Sequence, residues 1–177
     1  MDPRQLFLDQ RLIGMCVYCG GKPDTRDHVP SRVLLDEPYP ENLPIVAACR
    51  QCNQDFSLHE QYLACLLEAV IGGTSEPEGM GREKIRRVLT EDEGLASRIE
   101  QSRQIDGKGN LVWQPEVERV RKVLLKLARG HLAYELHPDI GGAEVFFAPL
   151  LTLTASELTA FEDAPVRSLE IWPEIGT

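Results

Sequence analysis

Two Cys-x-x-Cys pairs, Cys16-Val-Tyr-Cys19 and Cys49-Arg-Gln-Cys52, are separated by 29 residues in the first third of the chain. Nothing else in the sequence constrains the fold as tightly, because four thiolates sharing one ion bring two distant segments to a point. A closed, all-sulfur tetrahedral set is the kind that holds Zn²⁺ in a structural role and leaves no position for a substrate. The expected zinc therefore staples and does not catalyse. Gly20-Gly21, directly behind the first pair, permits the tight backbone turn of a metal knuckle. Disulfides are disfavoured: the start Met1-Asp2-Pro3-Arg4-Gln5 lacks the basic-then-apolar order of an export signal. No apolar run approaches the ~20 residues of a membrane span, so a cytoplasmic protein with no membrane contact is expected. Cys65 lies in the apolar run Tyr62-Leu-Ala-Cys-Leu-Leu67 and reads as a buried, inert thiol.

Between the pairs, residues 25–35 begin like a strand, with Pro30 blocking a continuous helix and limiting ladder bonds. Residues 36–41 read as a loop and 42–49 as a second short strand, which delivers the second pair onto a turn that opens a helix. Ser57-Leu-His-Glu60 has the form of a capping box, which predicts a long helix from there to about Ile71, stopped by Gly72-Gly73. A helix at about 82–89 follows. Thr90-Glu-Asp-Glu93 then opens another to about Gln104, and 106–110 makes the turn of a small hairpin. Pro115 suits the first position of a long helix to about Leu136, with Val117, Val120, Leu124 and Leu127 as its apolar stripe. Val145-Phe-Phe-Ala148 reads as a strand, and Thr154-Ala-Ser-Glu157 as a third capping box for a helix ending near Glu162. Residues 5–14 read as a helical or extended lead-in, and Trp172-Pro173 as part of an irregular end. The sum is an α+β protein: a zinc-stapled lobe over 1–72 and a mainly helical region over 73–177 packed on it.

The net charge of −9 argues against casual nucleic-acid binding, but it is unevenly spread. Residues 81–130 hold 12 basic and 8 acidic groups, whereas 131–177 hold 1 and 8. A polyanion would meet the former block and avoid the latter. Arg119, Lys122, Lys126 and Arg129 recur at i, i+3, i+7 and i+10, one stripe on a helix; it reads either as a solvated face or as a phosphate track.

Cys-x-x-Cys, then Asp27-His28-Val-Pro30, then Asn42-Leu43, then Cys-x-x-Cys-Asn53 resembles the HNH endonucleases, within the wider His-Me finger (ββα-metal) nucleases. The resemblance covers about residues 16–57. It implies a DNA substrate and a catalytic divalent ion, Mg²⁺ or Mn²⁺, held by Asp27 and Asn53. It also implies His28 as general base, and Asn42 as the residue whose amide ties down the loop carrying the histidine. The physical chemistry agrees: a neutral imidazole takes a proton from water near pH 7, and one carboxylate plus one amide leave a hard ion open to phosphate and water. Asn53 also suits a helix N-terminus on its own account. Arg26 and Arg32, on either side of Asp27-His28, are candidates for phosphate contact.

The sequence departs from the pattern after Asn53, where Gln54-Asp-Phe-Ser57 replaces the Lys and Gly common in the family. That exchange removes a phosphate-binding charge. His59 reads as a surface helix residue, and His131 and His137 as uninvolved in catalysis. A rival function is a non-catalytic, zinc-stapled module that binds nucleic acid or docks a partner protein. No dimer signature is visible, and a homodimer stays open.

Overall fold

The structure, a computed structural model, describes residues 14–135, 148 and 153–162. The lead-in expected at 5–14 (except Gly14), the strand expected at 145–148 (except Ala148) and the Trp172-Pro173 end lie outside these residues. Strand β1 (Thr25–His28) pairs antiparallel with β2 (Ile45–Ala48), with Thr25 opposite Ala48 and His28 opposite Ile45. The strand alternation buries Asp27 while Arg26 stays exposed. The knuckle is strapped to this hairpin by Val17 N–H to Ala47 O at 3.0 Å, and Val29 N–H to Pro44 O at 2.9 Å closes the loop behind His28.

Helix α1 (Arg50–Gly72) starts seven residues before the expected Ser57. The reason is the second cysteine pair: Cys49 is the N-cap, and its sulfur accepts the Cys52 N–H, so the helix opens on the metal ligands themselves. Ser57 is thus mid-helix, and its hydroxyl bonds back to Gln54 O at 2.9 Å. At the far end Gly73, with φ of 66°, gives its N–H to Ala69 O and Val70 O in the left-handed cap that glycine tolerates.

Helices α2 (Glu83–Glu91) and α3 (Glu93–Ser102) pack on α1. Here too the expected capping box shifts: Asp92, not Thr90, caps α3 by accepting the Leu95 N–H at 2.9 Å. Strands β3 (Arg103–Ile105) and β4 (Leu111–Trp113) form the small hairpin, its turn set by Gly109 and by Asp106 Oδ1 accepting the Lys108 and Asn110 N–H groups. Tyr62, Cys65, Leu66 and Ala69 of α1 meet Ile85, Leu89, Leu95 and Ile99 in the larger core. A second cluster, Cys16, Tyr18, Val29, Val46 and Ala48, lies beneath the knuckle.

Helix α4 (Val117–Glu135) follows, and its inward face matches the predicted stripe only in part, Val120 packing on the larger core. Val123, Lys126, Gly130 and Ala133 are its buried residues, whereas Val117 is exposed and Val120, Leu124 and Leu127 are only half-buried. A Cβ added to Gly130 would lie 2.7 Å and 2.9 Å from the Val29 methyls, so glycine is what lets α4 settle against the chain just after His28.

The chain divides into two compact units, Met1–Val145 and Phe146–Thr177. The boundary expected after residue 72 falls at the C-cap of α1, inside the first unit. In the second unit α5 (Ala155–Glu162) begins at the predicted capping box: Thr154 N–H donates to Glu157 Oε2 at 2.8 Å, and Glu157 N–H returns to Thr154 Oγ1 at 3.3 Å. Five α-helices and two two-stranded sheets among the described residues make an α+β fold. None of these helices is long and apolar enough to cross a membrane.

Alanine at an open helical glycine site gains about 1 kcal/mol, but overpacking costs about 1–3 kcal/mol. Gly130→Ala is therefore expected to destabilise, and to become stabilising in a Val29→Ala background. Urea midpoints for the four proteins of that cycle check the contact.

Candidate functional site

The sulfurs of Cys16, Cys19, Cys49 and Cys52 lie within 4.8 Å of one another. Cys19 Sγ and Cys49 Sγ are 3.8 Å apart. A tetrahedral ion with metal–sulfur bonds of about 2.3 Å has edges of about 3.8 Å, so the geometry fits a divalent ion such as zinc. Local structure aims each pair. Gly20, with φ of 74°, lets the Gly20 N–H reach Cys16 O at 2.8 Å and the Cys16 N–H reach Gly21 O at 2.7 Å, while the start of α1 presents Cys49 and Cys52.

The thiols are already biased. Burial would raise Cys16, but N–H groups of Cys49, Tyr18 and Cys19 directed at its sulfur bring it down to about 7. Burial and then the neighbouring Cys49 and Cys19 thiols push Cys52 upward. A bound divalent cation inverts that balance and favours the thiolate at every position. Cys65 is buried in the larger core and pushed up to about 12 by that burial, in keeping with an inert thiol.

Asp27 turns away from the surface. It is 5% exposed, its Oδ2 accepts the Tyr18 hydroxyl at 2.7 Å, and the same oxygen lies 2.8 Å from Lys126 Nζ. Burial, followed by the Asp27 charge, pushes the Tyr18 phenol upward, so it remains the donor. Lys126 Nζ also pairs with Glu60 Oε1 and lies over the Tyr18 and Phe56 rings at 5.9 Å and 5.6 Å. Two carboxylates, a phenol and two ring faces thus enclose one ammonium. In this arrangement Oδ2 of the Asp27 carboxylate is engaged by Tyr18 and by an ammonium shared with Glu60, and the residue is buried.

His28 is half-buried, and the alternation of β1 sets it on the side of the strand opposite Asp27. Asn53, in the first turn of α1, donates from Nδ2 to Arg26 O at 3.3 Å, tying the helix to the strand one residue from Asp27. Its amide oxygen stays available as an acceptor. Asn53 also lines a groove of about 390 Å³ with Arg50, Gln54 and Ser57. Asn42 is exposed in the turn before β2, and the backbone bond of Val29 to Pro44 is what closes the histidine loop.

The predicted phosphate contacts fall into different environments. Arg26, Arg32, Lys122 and Arg129 are exposed, with Arg32 stacked over Tyr39 at 5.3 Å. Arg119 is half-buried between Glu116 at 2.8 Å and the Tyr62 ring at 5.5 Å. Lys126 is 2% exposed and committed to Asp27 and Glu60, so it is no part of a surface track. Helical spacing gave no sign of this, since the partner carboxylates lie on other elements. Tyr18, Glu60, Arg50 and His59 were missed; Tyr18 and Arg50, each inside a cysteine pair, were the ones with a sequence cue.

No protein-family model matches the chain, and neither the curated proteins nor the solved structures compared with it give a match.

Removing one partner of a buried ion pair costs about 3–5 kcal/mol, whereas an exposed site changes stability by about 0.5 kcal/mol or less. Lys126→Ala is expected to show the first loss in urea unfolding and Lys122→Ala the second. Serine at Cys16, Cys19, Cys49 or Cys52 should abolish stoichiometric metal binding and the near-UV signal of the lobe. Elemental analysis and circular dichroism check both losses.

Proposed function

We propose that this protein is a zinc-stapled endonuclease of the HNH type, hydrolysing phosphodiester bonds in DNA with His28 as the general base. The observation that carries the reading is the order hairpin then helix, β1–β2–α1, pinned at one end by the four cysteines, with His28 at the end of β1 and Asn53 bonded to the same strand from α1. Zinc is the ion proposed for the four sulfurs, on their number, softness and spacing. In the reaction His28 removes the proton of an attacking water at its unprotonated ring nitrogen. Arg50 and Asn53, which line a groove at the start of α1, orient a phosphate.

The reading retains Mg²⁺ or Mn²⁺ as the expected cofactor, which when bound supplies charge neutralisation at the phosphoryl oxygens. Asn53 offers it an amide oxygen, while Asp27 is not assigned to it. Asp27 serves instead through Lys126, holding β1 against α4 so that His28 keeps its position.

That same pairing favours a second reading, a non-catalytic zinc-stapled module that binds nucleic acid or a partner protein. A module needs no free carboxylate, and Oδ2 of Asp27 is already engaged by Lys126 and Tyr18. Nicking of supercoiled plasmid with Mg²⁺ or Mn²⁺ separates the two. The nuclease predicts a loss of roughly 10²–10⁴-fold for His28→Ala, with zinc content unchanged. Equal rates in both proteins, or no nicking by either, would leave the module.

A further inference from the structure

His59 of α1 stands between two cations of α4. Arg119 Nη1 is 3.4 Å from His59 Nδ1, and Lys122 Nζ is 3.2 Å from Nε2. Guanidinium and ammonium groups only donate hydrogen bonds, while a neutral imidazole has one accepting nitrogen and one N–H. One of the two contacts therefore sets an N–H against a cationic donor. Protonating the ring makes matters worse, with three positive groups in contact. An anion among them would let all three donate at once.

The surrounding charge does not remove the conflict. Glu116, at the entry to α4, pairs with Arg119 but is shared with Arg98 at 3.1 Å. Asp55, on α1, acts on His59 only from a distance, without a hydrogen bond in evidence. Burial first, then Lys122 and Arg119, hold the imidazole below its ordinary pKa, with Asp55 and Glu116 pulling weakly the other way. Lys122 is exposed and His59 half-buried, so the cluster is open to a ligand.

We propose that His59, Arg119 and Lys122 form a phosphate site across the α1–α4 edge that grips the backbone of a nucleic-acid strand. The phosphate chemistry follows from the three donors; the strand as its source rests on the proposed function. His59 lies six residues along α1 from Asn53, about 9 Å of helical rise, so the site is distinct from the His28 centre. Binding should protonate His59, so affinity rises as pH falls from 8 through 6. The gain is about tenfold for each unit by which the strand lifts the imidazole pKa. Backbone phosphodiesters do not titrate in that range, so the dependence belongs to the protein.

The test is fluorescence anisotropy of a labelled DNA duplex with the full-length, zinc-loaded His28→Ala protein, which binds without cutting. Adding His59→Gln should flatten the pH dependence. Adding Lys122→Ala should lower the slope of log affinity against log salt by about one, with circular dichroism and zinc content unchanged in both. Full pH dependence and full salt slope in both variants would overturn the site. Inorganic phosphate that shifts the His59 ring resonances, with no effect of either variant on the duplex, would overturn the nucleic-acid assignment. Intact binding by His28→Ala, with the expected variant effects and no plasmid nicking by wild type, would sustain the phosphate site while removing the nuclease.

Discussion

Four sulfur atoms gathered within 4.8 Å set the first unit a demanding electrostatic problem that a shared divalent ion would solve. The β1–β2 ladder has four residues on each strand, and a lone hairpin of that size is marginal in water. The knuckle before it contains two glycines and adds only Cys16, Val17 and Tyr18 to the small apolar cluster there. Cys49 does double duty, as a ligand candidate and as the N-cap whose sulfur accepts the Cys52 N–H. An ion held by these sulfurs would couple hairpin closure to the start of α1. The long helix then inherits a fixed origin, and everything packed on it inherits that origin in turn.

The second fixed point is Lys126. An ammonium withdrawn from water is costly unless its partners are close and well placed, and here Asp27 and Glu60 meet it from two different elements. The pairing adds little net stability compared with a well-packed apolar triad, but a misplaced α4 would strand three buried charges. Geometry is what the interaction specifies: α4 has one seating on β1 and α1, reinforced by Gly130 against Val29.

Sequence patterns carried the cysteine cluster, the hairpin order, the small β3–β4 turn and the helical character of the rest. They failed where a local signal met a distant partner. Ser57-x-x-Glu60 has the form of a capping box, but Glu60 turns inward to a lysine 66 residues away, and the cap had already been made by a cysteine sulfur. The basic stripe on α4 read as one surface because periodicity reports direction from a helix axis, not depth in the fold. Asp27 looked free to bind an ion because a motif shows which groups are adjacent in sequence, not which are already neutralised. Only Thr154-x-x-Glu157, whose two partners are both local, formed as written.

The charges of α4 divide by how near the helix comes to its neighbours. Toward its C-terminal half, Gly130 removes the side chain that would hold the helix off Val29. Lys126, four residues earlier, is drawn inside with it. Toward the N-terminal half no such glycine intervenes; Arg119 and Lys122 remain at the edge, both facing His59, with Glu116 paired to Arg119 alone of the two. One stripe of cations therefore contains a buried bridge at Lys126, an exposed Arg129 beyond it, and at the other end an Arg119–Lys122 pair that flanks an imidazole. A chain with a net charge of −9 has ample carboxylates to neutralise that outer cluster. Few of them reach it: Glu60 is spent on Lys126 and Glu68 on the N–H groups of Gly81 and Arg82, while Glu116 pairs with Arg119 but is shared with Arg98. An edge left with donors facing donors, in a protein rich in acceptors, is the arrangement expected of a surface that receives its anion from outside.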